Sequence, residues 1–110
     1  MKIYRGVPEN ADYQNIGDVR IIVDGVDTGT LNPRFDLRRH SPSGFAWNYH
    51  GSGPAQLALA LLADASENDE LAQRFYQDFK SEIIARLPPG DWEMEADAIR
   101  QWIDKARQRP

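Results

Sequence analysis

The chain has 110 residues, with 13 basic and 17 acidic side chains, two histidines, no cysteine and a net charge of −4. With 41% hydrophobic and 27% charged residues it reads as one globular domain spanning residues 1–110. The missing cysteines exclude a disulfide scaffold, a thiol nucleophile and cysteine-ligated zinc. The acidic balance argues against non-specific nucleic-acid binding, which runs on basic surface.

In chain order, residues 1–50 read mainly as strands and 54–108 mainly as helices. Met1-Lys2-Ile3-Tyr4-Arg5-Gly6 lacks the apolar core of a signal peptide. The longest apolar run, Leu57 to Ala63, is far short of the ~20 residues of a bilayer span, so the expected setting is cytoplasmic. Lys2 to Val7 is a β-type run ending at Pro8, and residues 8–17 are rich in turn formers and read as a loop. Val19 to Val23 and Val26 to Leu31 flank Asp24-Gly25, a strong hairpin signal because both turn residues must tolerate φ > 0. Alternation puts Val19, Ile21 and Val23 on one face, with Arg20 and Ile22 on the other. The polar connection Asp36 to Gly44 precedes an expected strand Phe45 to Tyr49, with Phe45, Trp47 and Tyr49 sharing a face.

Pro54 suits the first position of a helix. From Ala55 to Ala63 only Gln56 is polar, so this helix is expected to be central and buried on nearly all sides. Ser66-Glu67-Asn68-Asp69 resembles a capping box with Ser66 as N-cap. The next helix repeats Leu71, Phe75, Phe79, Ile83 and Leu87 every four residues until Pro88-Pro89-Gly90 stops it. The last runs from about Glu95 to Gln108 on the face Ala98, Ile99, Trp102, Ile103 and Ala106. The expected fold is α+β: an N-terminal antiparallel sheet packed on three C-terminal helices. Trp47 and Trp102 are the expected core tryptophans, and Trp92 is expected near the surface.

The block from His40 through Gly51-Ser52-Gly53-Pro54-Ala55-Gln56-Leu57 to Leu62, followed by Tyr76-Gln77-Asp78-Phe79-Lys80, Leu87-Pro88, Trp92 and Trp102, resembles a small prokaryotic family of unknown function. Its members occur in bacteria, archaea and their mobile elements. The resemblance implies a fold and a cytoplasmic setting, and carries over no catalytic residue.

Four constellations bear on function. Gly51-Ser52-Gly53-Pro54 before a helix is a candidate anion site, since helix N-termini carry free N–H groups and partial positive charge. It is also an ordinary strand-to-helix turn, the favoured reading because no phosphate-loop motif is complete. Arg34, Arg38, Arg39 and His40 form a basic cluster, either an anion contact or a solvated connection. Joined with His50, Ser52 and Gly53, Arg38 and Arg39 would make a ligand site. Asp91, Trp92, Glu93 and Glu95 form an acidic run that is a candidate partner surface, or, with Asp97, favourable charge at a helix start. His40 and His50 do not form a metal pair, and no nucleophile motif accompanies Ser41 or Ser52. No catalytic residue, metal or cofactor is assigned. The expected function is a non-enzymatic domain binding a cytoplasmic protein, with antagonism of a host defence complex the analogy from mobile elements. The alternative is a small anionic-ligand or nucleotide binder at Gly51–Pro54 with Arg38, Arg39 and His50. A homodimer through an exposed helix face is compatible with the Leu71–Leu87 stripe, which can also be satisfied internally.

Overall fold

The computed structural model describes residues 1–41 and 44–110. Pro42 and Ser43, part of the expected turn-rich connection, lie outside the described residues. The fold is α+β: an N-terminal antiparallel sheet followed by three helices. Strands β1 (Lys2–Asn10), β2 (Tyr13–Val23), β3 (Val26–Thr30), β4 (Phe45–Ala46) and β5 (Trp92–Glu95) form one five-stranded sheet of order β3-β2-β1-β5, with β4 beside β2. Helices α1 (Ser52–Ser66), α2 (Asp69–Glu82) and α3 (Ala96–Arg107) supply most of the rest of the core.

The Asp24-Gly25 hairpin forms as the dipeptide dictates. Val23 pairs with Val26, and Asp24 and Gly25 take φ of 51° and 83°. Positive φ at both positions matches the right-handed twist of the flanking strands. The expected loop over residues 8–17 is instead a second hairpin. β1 runs through Pro8 to Asn10, and Asn10 pairs with Tyr13. Asn10 Oδ1 accepts from the backbone N–H groups of Asp12 and Tyr13, so the turn formers close a tight connection inside the sheet.

Register assigns the faces. Tyr4 lies opposite Ile21 and Met94, and Gly6 opposite Val19 and Trp92. Tyr4, Val19 and Trp92 join the hydrophobic core with α1, α2 and α3. Arg5 lies opposite Arg20 and Glu93 on the other, open face. There Arg5 pairs with Glu93 at 2.7 Å and Arg20 with Asp27 at 2.9 Å. Cross-strand charge pairs of this kind keep an open sheet face hydrated and in register.

The helix α1 is central and buried, as its composition requires. Every residue from Gly53 to Ala63 is buried, and Leu57, Leu59, Leu61 and Leu62 are fully enclosed. Each such side chain contributes about 1.5–3 kcal/mol relative to exposure.

Several boundaries differ from the sequence expectation. β4 stops at Ala46, so Tyr49 is exposed rather than sharing a buried face with Phe45 and Trp47. Ser66 closes α1 instead of opening α2: its hydroxyl donates to the Leu62 carbonyl at 2.6 Å. The true N-cap of α2 is Asn68, whose side chain accepts from Leu71 N–H at 3.1 Å. α2 ends at Glu82, and a single 3-10 turn, Ile84–Arg86, carries the chain to Leu87. Leu87 is extended, as a residue preceding proline prefers.

The largest correction is β5. Trp92–Glu95 is a strand paired with Ile3–Gly6, not the acidic start of a helix. Trp92 is therefore buried, and only Asp97 of the run lies in the first turn of α3. Trp102 is partly rather than fully buried; its ring meets Phe79 edge-on at 4.9 Å, and its Nε1 donates to Glu82.

Candidate functional site

The basic segment after β3 is an anchored loop. Asn32 Oδ1 accepts from Arg34 N–H at 2.8 Å, and Arg34 takes φ of 60°. The Arg34 guanidinium grips two carboxylates, Asp36 at 3.0 Å and Asp69 at 2.7 Å, tying the loop to the start of α2. Hydrogen bonding to Asp36 and Asp69 raises the Arg34 pKa, and the Arg34 contact lowers that of Asp36. Arg34 thus serves structure and is not available to a ligand.

Gln56 is the second anchor. It is fully buried on α1. Its Nε2 donates to the carbonyls of Pro33 at 2.6 Å and Arg38 at 3.0 Å. Its Oε1 accepts from the backbone N–H groups of His40 at 2.7 Å and Ser41 at 3.3 Å. All four hydrogen-bonding positions of the amide are used on one loop. This accounts for the only polar residue in an otherwise apolar stretch. The His40 ring is the third anchor, with Nε2 at 2.7 Å from the Tyr76 hydroxyl.

What the anchors leave outward is Phe35, Arg38 and Arg39, all exposed. The Arg39 guanidinium lies over the Phe35 ring, 5.6 Å from its centroid. Neither Arg38 nor Arg39 forms an ion pair among the described residues. The sequence marks the two arginines as candidate site residues and Gln56 as the only polar residue of its apolar run, but gives Gln56 no role and does not point to Phe35.

The glycine-rich turn behaves as packing. Gly53 is buried under β4, and a Cβ there would stand 2.6 Å from the Ala46 Cβ. Pro54 lacks an N–H, which removes one of the donors an anion would use. His50 and Ser52 are exposed, and neither side chain hydrogen-bonds to a described residue. Gln56 lies one helical turn beyond Ser52, so the basic loop does reach the first half of α1. No side-chain contact joins Arg38 or Arg39 to His50, Ser52 or Gly53 among the described residues. Two clefts, of about 220 and 390 Å³, lie elsewhere and share Asp104 and Arg107 of α3.

The acidic run divides between two faces. Trp92 points inward and meets Trp47 edge-to-face, with centroids 5.8 Å apart and rings at 82°. Glu93 points to the open face and is paired with Arg5. Asp91 and Glu95 are exposed and without an ion-pair partner among the described residues. As one four-residue partner surface the run therefore fails at Trp92. No group of three or more His, Asp or Glu side chains among the described residues is placed to hold a metal ion. No helix of the described residues is long and apolar enough to cross a membrane.

A family sequence pattern matches residues 5–105, almost the whole of this architecture. The chain belongs to the family of unknown function DUF6166. No curated protein and no solved structure matches it. The matched span of the DUF6166 domain takes in β5, the anchored loop, Gln56 and Tyr76.

Proposed function

We propose that this domain is a non-enzymatic protein-binding module whose contact surface is the loop Phe35–Arg39, and that its partner presents surface carboxylates. The observation that carries this reading is the complete use of Gln56 on that loop, with two unpaired arginines and a phenylalanine left outward. Loops that carry function are typically positioned by a rigid scaffold. A loop ordered before binding loses little conformational entropy on association. Arginine is suited to carboxylates because its planar guanidinium donates two parallel hydrogen bonds. Phe35 supplies an apolar anchor beside the two charges, the side-chain mixture common in the energetic centres of interfaces. The partner would be a cytoplasmic protein, and the mobile-element analogy points to a component of a host defence complex.

A small-ligand site draws less support, because Arg38 and Arg39 are not joined by His50, Ser52 or Gly53 around a common cleft. Repeated affinity captures from the native host with the wild-type domain and with Arg38→Glu/Arg39→Glu test the proposal. One partner retained by wild type and lost from the variant is the expected result. Capture of nothing in repeated trials, or equal capture by both proteins, would overturn it.

A further inference from the structure

The strand β5 ends the sheet on the side opposite β3. Its ladder to β1 is regular, from Ile3↔Glu95 to Gly6↔Trp92. Apart from that ladder and the helical bonds of α3, no backbone group of Trp92–Glu95 hydrogen-bonds to a described residue. An edge of this kind is a template for another strand.

The two edges of the sheet differ. On β3, pairing with β2 is interrupted by a bulge between Ile21 and Ile22, Gly29 takes φ of 128°, and Asp27 turns back onto Gly29 N–H at 2.9 Å. Such irregularities blunt an edge against pairing. β5 has no bulge. What it has is acid at alternate positions on the open face: Glu93, which also pairs with Arg5 of β1, and Glu95, which is unpaired among the described residues, as is Asp91 immediately before the strand.

That pattern selects the occupant. In a continued sheet, directly opposed residues point to the same face. If a second copy added its own β5 antiparallel, every register that keeps the faces aligned would set acid against acid on the open side. Pairing centred on Met94 opposes Glu93 to Glu95, and pairing centred on Glu93 opposes it to itself. Like charges directly opposite destabilise a strand pair. The edge is thus guarded against its own copy and complementary to a strand bearing cations at every second position. Met94, partly buried on the inner face, leaves an apolar shoulder for the intervening residues.

We infer that the free edge of β5 accepts an extended segment of another protein in which lysine or arginine alternates with apolar residues. This surface is separate from the Phe35–Arg39 loop and takes the opposite charge.

The probe is a blocked heptapeptide, Lys-Val-Lys-Val-Lys-Val-Lys. Its control has the central valine replaced by proline, which keeps the charge and prevents strand pairing. Amide NMR titration of the full chain should place the largest shifts in Asp91–Glu95 and Ile3–Gly6, with slowed exchange of β5 amides. The proline peptide should bind at least tenfold more weakly. So should the alternating peptide to Asp91→Lys/Glu95→Lys, whose replaced side chains are exposed and unpaired. Arg38→Glu/Arg39→Glu should leave affinity within twofold, which separates this edge from the loop. Equal binding of both peptides, shifts centred instead on the acidic residues Glu67, Asp69 and Glu70 around the start of α2, or no saturable binding at millimolar peptide would each overturn the inference.

Discussion

Gln56 Oε1 accepts the His40 backbone N–H at 2.7 Å, joining the one polar position of the buried stretch Gly53–Ala63 to the one basic loop of the sheet half. The bond is part-buried, and its acceptor is fully buried, so a lost partner costs more than the bond contributes in net terms. Gln56→Leu keeps the side chain's approximate size and removes all four hydrogen bonds. A buried unsatisfied polar group costs about 1–3 kcal/mol, and some of the four groups can turn to water. The expected loss is about 3 kcal/mol in chemical denaturation. Amide exchange at His40 and Ser41 should accelerate more than exchange in α2, because the loop loses its anchor while the helix keeps its own ladder.

Gly6 and Trp92 form a second obligate pair. A Cβ on Gly6 would stand 2.1 Å from Trp92 Nε1, so the indole occupies the space a side chain would take. Gly6→Ala should destabilise by about 1–3 kcal/mol through overpacking. In a Trp92→Leu background the same substitution should cost at least about 1 kcal/mol less, because contacting residues couple. Equal costs in both backgrounds, measured by urea unfolding, would show that the two positions do not share this space.

The contrast between these two pairs explains how much of the fold was legible. The Asp24-Gly25 hairpin and the apolar α1 are written in local chemistry, a turn dipeptide and an unbroken apolar run. The strand identity of Trp92–Glu95 is not local. Four residues alternating tryptophan and methionine with glutamate satisfy a strand period and a helix start equally well. The choice is made by pairing with Ile3–Gly6, almost ninety positions away, and by the missing side chain of Gly6. The same holds for the site: Arg38 and Arg39 are visible as a charge cluster, but that Arg34 and His40 are consumed by Asp69 and Tyr76 follows only from tertiary placement.

Stability should respond to pH at both ends. Tyr4 is fully buried and donates to Asp64; burial first, and then that carboxylate, push its pKa well above the ordinary tyrosine value. The folded chain therefore holds this proton after the unfolded chain has lost it. Its contribution is complete below about pH 10 and declines as the pH rises above that value. Tyr4→Phe should flatten the alkaline limb of a stability–pH profile. At the acid end, the Arg109 guanidinium holds Glu82 below the usual carboxylate range, helped by Trp102 N–H. That contribution is complete above the unfolded glutamate value and is lost as the pH falls through the folded one. Glu82→Gln should flatten the acid limb, and thermal melts from pH 3 to pH 11 would read both.

Ser52 and Gly53 decide between the two readings of the turn before α1. If the turn is packing, Gly53 is the sensitive position and Ser52 is not. Gly53→Ala forces a Cβ to 2.6 Å from Ala46 Cβ and 3.2 Å from Ala46 N, and the backbone of β4 cannot move as a flexible side chain would. The helix propensity of alanine returns at most about 1 kcal/mol, and less in a first turn, so a net loss of about 1–2 kcal/mol is expected. Ser52→Ala alters an exposed side chain without a hydrogen bond and should stay within about 0.5 kcal/mol of wild type. An anion site would give another pattern: phosphate or a nucleotide would raise the melting temperature of wild type, and Ser52→Ala would reduce that shift. Melts with and without millimolar phosphate, on wild type and both variants, should return the packing pattern. Gly53 packs against Ala46 where a side chain would stand, Pro54 has no amide hydrogen, and the loop that could supply cationic side chains holds them outward with Phe35.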